Sequence, residues 1–207
     1  MKNQKGFTLI EMLIAISVIS IIGFILTDIM SQVFRGQNKI NTVSLVKQNG
    51  QVVLDKLSNE IRSAEKVICN GSAVGGPKDT VVLFRNGNYT RFRFVLPTAL
   101  ASGYFSREDF TQDDIPDGVT DLTLCTETGV IRGQQSFLTD KDSNGVSIGY
   151  DGTNPIFEKQ PEAGSPDIIL IRFRAGKSVS AVTKTPENTV SDGGVLFTTA
   201  ASVKGGK

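Results

Sequence analysis

The sequence contains no histidine and no tryptophan. Without histidine it lacks the commonest general base and the commonest metal ligand. It has two cysteines, Cys69 and Cys125, too few for a cysteine-rich zinc site. It has no phosphate-binding loop and no Ser/His/Asp set, so no enzyme is expected. Neither sign of charge dominates: 22 Lys and Arg stand against 21 Asp and Glu, a formal net charge of +1. That balance lacks both the basic surplus of a general nucleic-acid binder and the acidic surplus of a solvating chain. Proline is absent before Pro77, so nothing forbids a long helix at the start. The length of 207 residues suffices for one domain with a core and an added element.

What the chain does have is a concentration of apolar residues at its beginning. From Phe7 to Leu26 it reads FTLIEMLIAISVISIIGFIL. As a helix this run measures about 30 Å, the thickness of a bilayer core. Lys2 and Lys5 precede it, and positive charge before a span keeps that end in the cytoplasm and sends the rest outward. A secretory signal peptide would have a shorter apolar region and a small-residue cleavage site, which Thr27-Asp28-Ile29 does not offer. A plain single-span anchor leaves Glu11 unexplained. An acid inside a span costs about 2.5 to 3.5 kcal/mol even on the mild insertion scale, so it asks for a partner or a function.

Lys5-Gly6-Phe7-Thr8-Leu9-Ile10-Glu11 resembles the leader junction of type IV prepilins and type II secretion pseudopilins. The resemblance implies cleavage between Gly6 and Phe7 by a prepilin peptidase, with N-methylation of Phe7. It also implies that Glu11, the fifth mature residue, meets a neighbouring subunit's terminal amine during assembly. The physics agrees, because a carboxylate and an ammonium in an apolar setting strongly prefer to pair. Cleavage would remove Lys2 and Lys5, so their charge serves topology. The segment KLSNEIRSAEK, Lys56 to Lys66, is similar to the helix end of larger minor pseudopilins of the J or PilW-like type.

The expected fold class is α+β: a long N-terminal helix, its inner half transmembrane, packed against an antiparallel β-sheet head. The expected parts are a leader at 1–6, a transmembrane or filament-core helix at 7–28 and an amphipathic outer helix at 29–65. A β-rich head follows at 66–174, then a polar, partly disordered C-terminal segment at 175–207. A helix from Phe7 to Ala64 would run roughly 87 Å. Its apolar stripe reads Ile29, Val33, Ile40, Val43, Val46, Val53, Leu57, Ile61 and Ala64, with Leu54 beside it. Ser58, Asn59, Glu60 and Arg62 fall on the polar side, with Lys56 and Glu60 four apart. Gly23, Gly36 and Gly50 read as weak points.

In the head, Lys66–Cys69 reads as a first strand. Residues 80–85 and 88–95 flank Asn86-Gly87, the signature of a β-hairpin, with Val81, Leu83, Phe92 and Phe94 on the helix-facing side. Leu122–Thr126, Ile168–Arg174 and Val195–Thr199 are further strand candidates. Cys69 and Cys125 fall in the exported part, where a disulfide is expected against the alternative of two buried thiols. It would close a long loop, worth about 4 kcal/mol in the chain-entropy model.

Asp140, Asp142, Asn144, Val146 and Asp151 follow the spacing of a calcium loop, though with Asp at the twelfth position and no flanking helices. An Asp/Asn/Gly turn without metal is the other reading. Calcium is therefore the one open cofactor; otherwise none is expected. Glu108, Asp109, Asp113, Asp114 and Asp117 read as a solvated acidic loop. Arg85, Arg91 and Arg93, interleaved with Tyr89, Phe92 and Phe94, match either single-stranded nucleic-acid binding or simple hairpin alternation.

The functional expectation is a minor pilin or minor pseudopilin of a type IV pilus or type II secretion-like filament. A major pilin, a competence-type DNA-uptake pilin and a calcium-dependent adhesive tip subunit are the alternatives. Expected partners are other pilin or pseudopilin subunits through the N-terminal helix, the prepilin peptidase and an inner-membrane assembly platform, with DNA or a host surface left open. The expected course starts as a single-pass precursor in the cytoplasmic membrane, head outside. It ends in a cell-surface or periplasmic filament.

Overall fold

The computed structural model describes residues 8–71, 79–98, 102–121, 123–126, 133–139, 146–150, 154–160, 166–176 and 194–205. The chain divides into two units, Met1–Asn41 and Thr42–Lys207. The first is helical from Leu9 onward, and all of its described side chains are exposed. The second holds the rest of the same helix and all the strands.

Helix α1 spans Leu9–Ser63 without a break. Ile, Leu, Val and Ser are its commonest residues, and no proline interrupts it. It ends in a tight turn, where the Ala64 N–H donates to the carbonyls of Glu60 (3.1 Å) and Ile61 (3.2 Å). Arg62 in that last turn complements the helix dipole.

Strands β1 (Lys66–Gly71), β2 (Thr80–Arg85), β3 (Asn88–Val95), β4 (Tyr104–Thr111) and β5 (Gln134–Phe137) form an antiparallel sheet in that order. The β2–β3 hairpin turns at Asn86 (φ 50°) and Gly87 (φ 79°). Positive φ at both positions gives the turn whose twist suits a two-residue hairpin, and Asn-Gly tolerates it best. A second sheet contains β6 (Ser147–Gly149), β7 (Phe157–Gln160), β8 (Ile168–Gly176) and β9 (Val195–Ser202). β8 pairs with β6 and β7 along one side and with β9 along the other, all antiparallel. The sheets are tied by Ile148 N–H to the Gly103 carbonyl (2.9 Å) and by Asn70 Nδ2 to the Phe157 carbonyl (2.9 Å).

The core lies between the outer part of α1 and both sheets. Val46, Val53, Leu57 and Ile61 share one buried cluster with Val81, Leu83, Phe92 and Phe94 of the first sheet and Ile169, Ile171 and Phe173 of the second. The Phe105 ring sits between the sheets, 5.5 Å from Phe94 and 5.4 Å from Phe173. A smaller cluster covers the other face of the first sheet: Val82, Tyr89, Phe110, Leu124 and Cys125.

The α+β class and the hairpin face stand as expected. Several details differ. The head has two sheets. Leu122–Thr126 is not a strand in its described part; Thr123–Cys125 form a 3-10 turn, held by Leu124 N–H to the Thr120 carbonyl (3.2 Å). Leu124 and Cys125 are buried on the sheet's outer face, and so short an apolar run fits either conformation. The head boundary expected at 174 falls inside β8, and β9 lies within the segment expected as a polar tail. Ser58 is buried, not on a polar side. Gly50 is the point on α1 where the Phe197 ring rests; a Cβ there would collide with that ring. The expected stripe changes character along its length: Ile29, Val33 and Ile40 are exposed, and burial sets in with Val43 and Val46.

Candidate functional site

Two groups of residues need placing: the processing and assembly segment, and the chemistry-bearing residues of the head. In the first segment the side chains from Leu9 to Leu26 are exposed on every side of the helix. Among the described residues α1 is the one helix long and apolar enough to cross a membrane, and its most apolar window has no buried residue. A helix apolar all round is stable only against lipid or other helices. Its hydroxyls are satisfied internally. Ser17 donates to the Leu13 carbonyl (2.8 Å), Ser20 to that of Ile16 (2.8 Å) and Thr27 to that of Gly23 (2.9 Å). In an apolar medium each such bond removes an otherwise unpaired polar group.

Glu11 is the single acid within this run. Its Oε2 accepts from the Thr8 backbone N–H and from the Thr8 hydroxyl, both at 2.9 Å. The Glu11 N–H donates back to the Thr8 hydroxyl at 3.4 Å. Thr8 and Glu11 thus form a reciprocal cap on the first turn. Thr8 was missed as a functional residue in reading the sequence, although Thr-Leu-Ile-Glu carries the spacing of a capping box. Gly6 and Phe7 lie outside the described residues.

In the head, Cys69 of β1 and Cys125 of the 3-10 turn are joined in a disulfide, with Cα atoms 6.1 Å apart. The bond fastens that turn to the edge of the first sheet. Arg91 helps from beneath. Its Nη1 donates to the Leu124 carbonyl (3.1 Å), and its Nε donates to Glu108 Oε2 (2.6 Å). Its side chain is 2% exposed. Burial lowers the basicity of neighbouring Arg93, and the Arg91 charge adds to the effect. Arg85 is exposed and donates to the Ser63 hydroxyl at 2.9 Å. Of these three arginines, Arg91 is thus buried and bound within the head, and Arg85 is the exposed one.

The acidic group also has structural duties. Asp109 accepts from Thr90 (2.8 Å) and from Arg107 Nε (2.8 Å), while Arg107 Nη1 donates to Glu60 at 2.6 Å. The hydrogen bond that Arg107 donates to Asp109 and the nearby Glu60 charge hold Arg107 above its ordinary basicity. This network locks the last turns of α1 to β4, so Glu60 pairs across the fold, not with Lys56. Asp114 accepts from the Thr111 N–H and hydroxyl, both at 2.8 Å. A mixed polar cleft of about 520 Å³ lies above this network, bordered by Ser63, Arg85, Asn88 and Asp114.

Of the calcium-loop residues, Asp140, Asp142, Asn144 and Asp151 lie outside the described residues; Val146 is buried in the core. Among the described residues no group of three His, Cys, Asp or Glu side chains could hold a metal ion.

The arrangement defines a class: a membrane-anchored precursor with an apolar N-terminal helix and a folded β head. Residues 1–27 match the family described as the prokaryotic N-terminal methylation motif, the signature of type IV pilins and pseudopilins. The motif supports a pilin-like or pseudopilin-like subunit and implies processing by a prepilin peptidase and assembly with other pilin subunits. No curated protein and no solved structure matches the chain.

Proposed function

We propose that the chain is a minor pilin or minor pseudopilin, built into a type IV pilus or type II secretion-like filament. Cleavage between Gly6 and Phe7 and methylation of Phe7 prepare it. Its head is exported, and its apolar helix moves from lipid into the filament core. The observation that carries this reading is Glu11: one acid in an otherwise uncharged span, whose carboxylate, among the described residues, accepts from Thr8 of its own chain. That cap offsets part of the cost of the carboxylate in lipid, but the Thr8 groups bring no positive charge to it. A neighbouring terminal amine supplies the missing cation. The elaborated two-sheet head supports a minor subunit over the repeating one. The disulfide suits export to an oxidising compartment.

The test is Glu11→Gln, which keeps an acceptor for Thr8 but removes the charge. The expected variant is inserted and cleaved, as read from its N-terminal mass, and is missing from sheared or purified filaments. Normal incorporation of Glu11→Gln would overturn the assembly role.

A further inference from the structure

The face of the first sheet that carries Val81, Leu83, Phe92 and Phe94 turns polar where α1 ends at Ser63. Leu83, Thr90 and Asp109 align across β2, β3 and β4, and Arg85 and Asn88 form the next row. With Glu60 and Arg107 these residues line the cleft of about 520 Å³. Its polar groups are braced. Arg107 donates from Nε to Asp109 (2.8 Å) and from Nη1 to Glu60 (2.6 Å), and its guanidinium lies 5.9 Å from the centre of the Phe92 ring. Asp109 also accepts from Thr90 at 2.8 Å. Groups fixed in this way are in place before a ligand arrives.

Among the described residues, Arg107 Nη2, Glu60 Oε2 and Asn88 Oδ1 make no hydrogen bond, and Arg85 makes one, from Nη1 to Ser63. The cleft therefore keeps both donors and acceptors for a ligand. Its charges nearly cancel, with Arg85 and Arg107 against Glu60, Asp109 and Asp114. An ammonium group only donates and a carboxylate only accepts, whereas a hydroxyl does both without charge. A peptide strand also does both, but it binds by extending a sheet edge. β2, β3 and β4 are the inner strands of the first sheet, so the cleft offers it none. Leu83 and Ala64, both buried, give the lining an apolar part. We infer that the cleft binds a neutral saccharide. Ring hydroxyls donate to Glu60 and Asn88 and accept from Arg85 and Arg107, while the C–H face of the sugar covers the apolar part. The inference concerns the head alone and does not depend on the filament reading.

The test is titration of the full chain, followed by saturation-transfer NMR, in lauryldimethylamine oxide, a detergent without a sugar head group. The probes are N-acetylglucosamine oligomers, which share a sugar with the bacterial wall, and galactose-containing oligosaccharides of the kind carried on animal cells. Binding of either series supports the inference, and the series that binds identifies the source. Arg85→Ala should weaken binding about tenfold and Asn88→Ala about threefold, the effects of losing one charged and one neutral hydrogen bond. Asn88 takes no part in the network that fastens α1 to β4, so its substitution should leave the melting midpoint unchanged. Lys66→Ala, exposed on β1 and outside the cleft, should bind as wild type does. Three results would overturn the inference: no binding of either series, undiminished binding by both Arg85→Ala and Asn88→Ala, or preferential binding of inorganic phosphate or spermidine.

Discussion

Between Leu9 and Leu26 every large apolar side chain of α1 is exposed, whereas Val46, Val53, Leu54, Leu57 and Ile61 further along are buried against the sheets. Local propensity does not separate the two regions, since both are rich in aliphatic residues and lack proline. Distribution does. In the first region apolar residues surround the axis, so burial needs a surrounding medium. In the second they keep to one side, and a single folded partner satisfies them. One continuous helix can thus be stabilised twice, by lipid or neighbouring helices and then by its own head. Substitutions in the two regions should report on different processes.

The largest effect on head stability is expected from the disulfide, which has no counterpart in the first region. Replacing both residues, Cys69→Ser with Cys125→Ser, frees the unfolded head from a loop of sequence separation 56. Chain entropy puts the loss at about 4 kcal/mol, or on the order of 10 °C in melting midpoint. Thermal unfolding of the full chain in detergent, wild type against the double variant, measures it. An unchanged midpoint would mean that Arg91 and the Leu124 contact hold the 3-10 turn unaided. Next comes Leu57→Ala, which opens a cavity between α1 and the sheets at a fully buried position. A loss of about 2 to 5 kcal/mol is expected in the same melt. A loss below about 1 kcal/mol would show that the outer helix contributes little to the head and would erase the contrast between the regions.

How much of this was legible in the sequence follows from the same contrast. The leader junction, Glu11 and the Asn86-Gly87 turn are local signals whose meaning is complete within a few residues. The α+β class and the face carrying Val81, Leu83, Phe92 and Phe94 follow from periodicity. What escaped depends on distant partners. Glu60 could be matched to Lys56 along the helix, because nothing local reveals Arg107 on β4. Arg91 reads as a surface cation until Glu108 and the Leu124 carbonyl are brought over it. Gly50 reads as a flaw in a helix until Phe197, far along the chain, arrives against it. The exposed fate of Ile29, Val33 and Ile40 was hidden for the converse reason: their spacing predicts an apolar face, while the position at which the head begins to cover α1 is set by tertiary packing. In the candidate site, the capping-box spacing from Thr8 to Glu11 is a local signal that needs no distant partner.

The smallest effect on the head is expected from the span, and it is the sharpest test of the comparison. Ile19 is 68% exposed on α1 and belongs to neither buried cluster. Ile19→Ala should leave the head's melting midpoint in detergent within about 0.5 kcal/mol of wild type, as for other substitutions away from a folded core. Ile19→Asp should likewise spare the head, yet it should reduce membrane insertion, because a second acid in the span costs about 3 kcal/mol. Insertion is read by carbonate extraction of membranes and head stability by the melt, so the two outcomes separate cleanly. If Ile19→Ala lowers the midpoint as much as Leu57→Ala does, the span supports the folded head directly, and the division of α1 between two kinds of stabilisation fails.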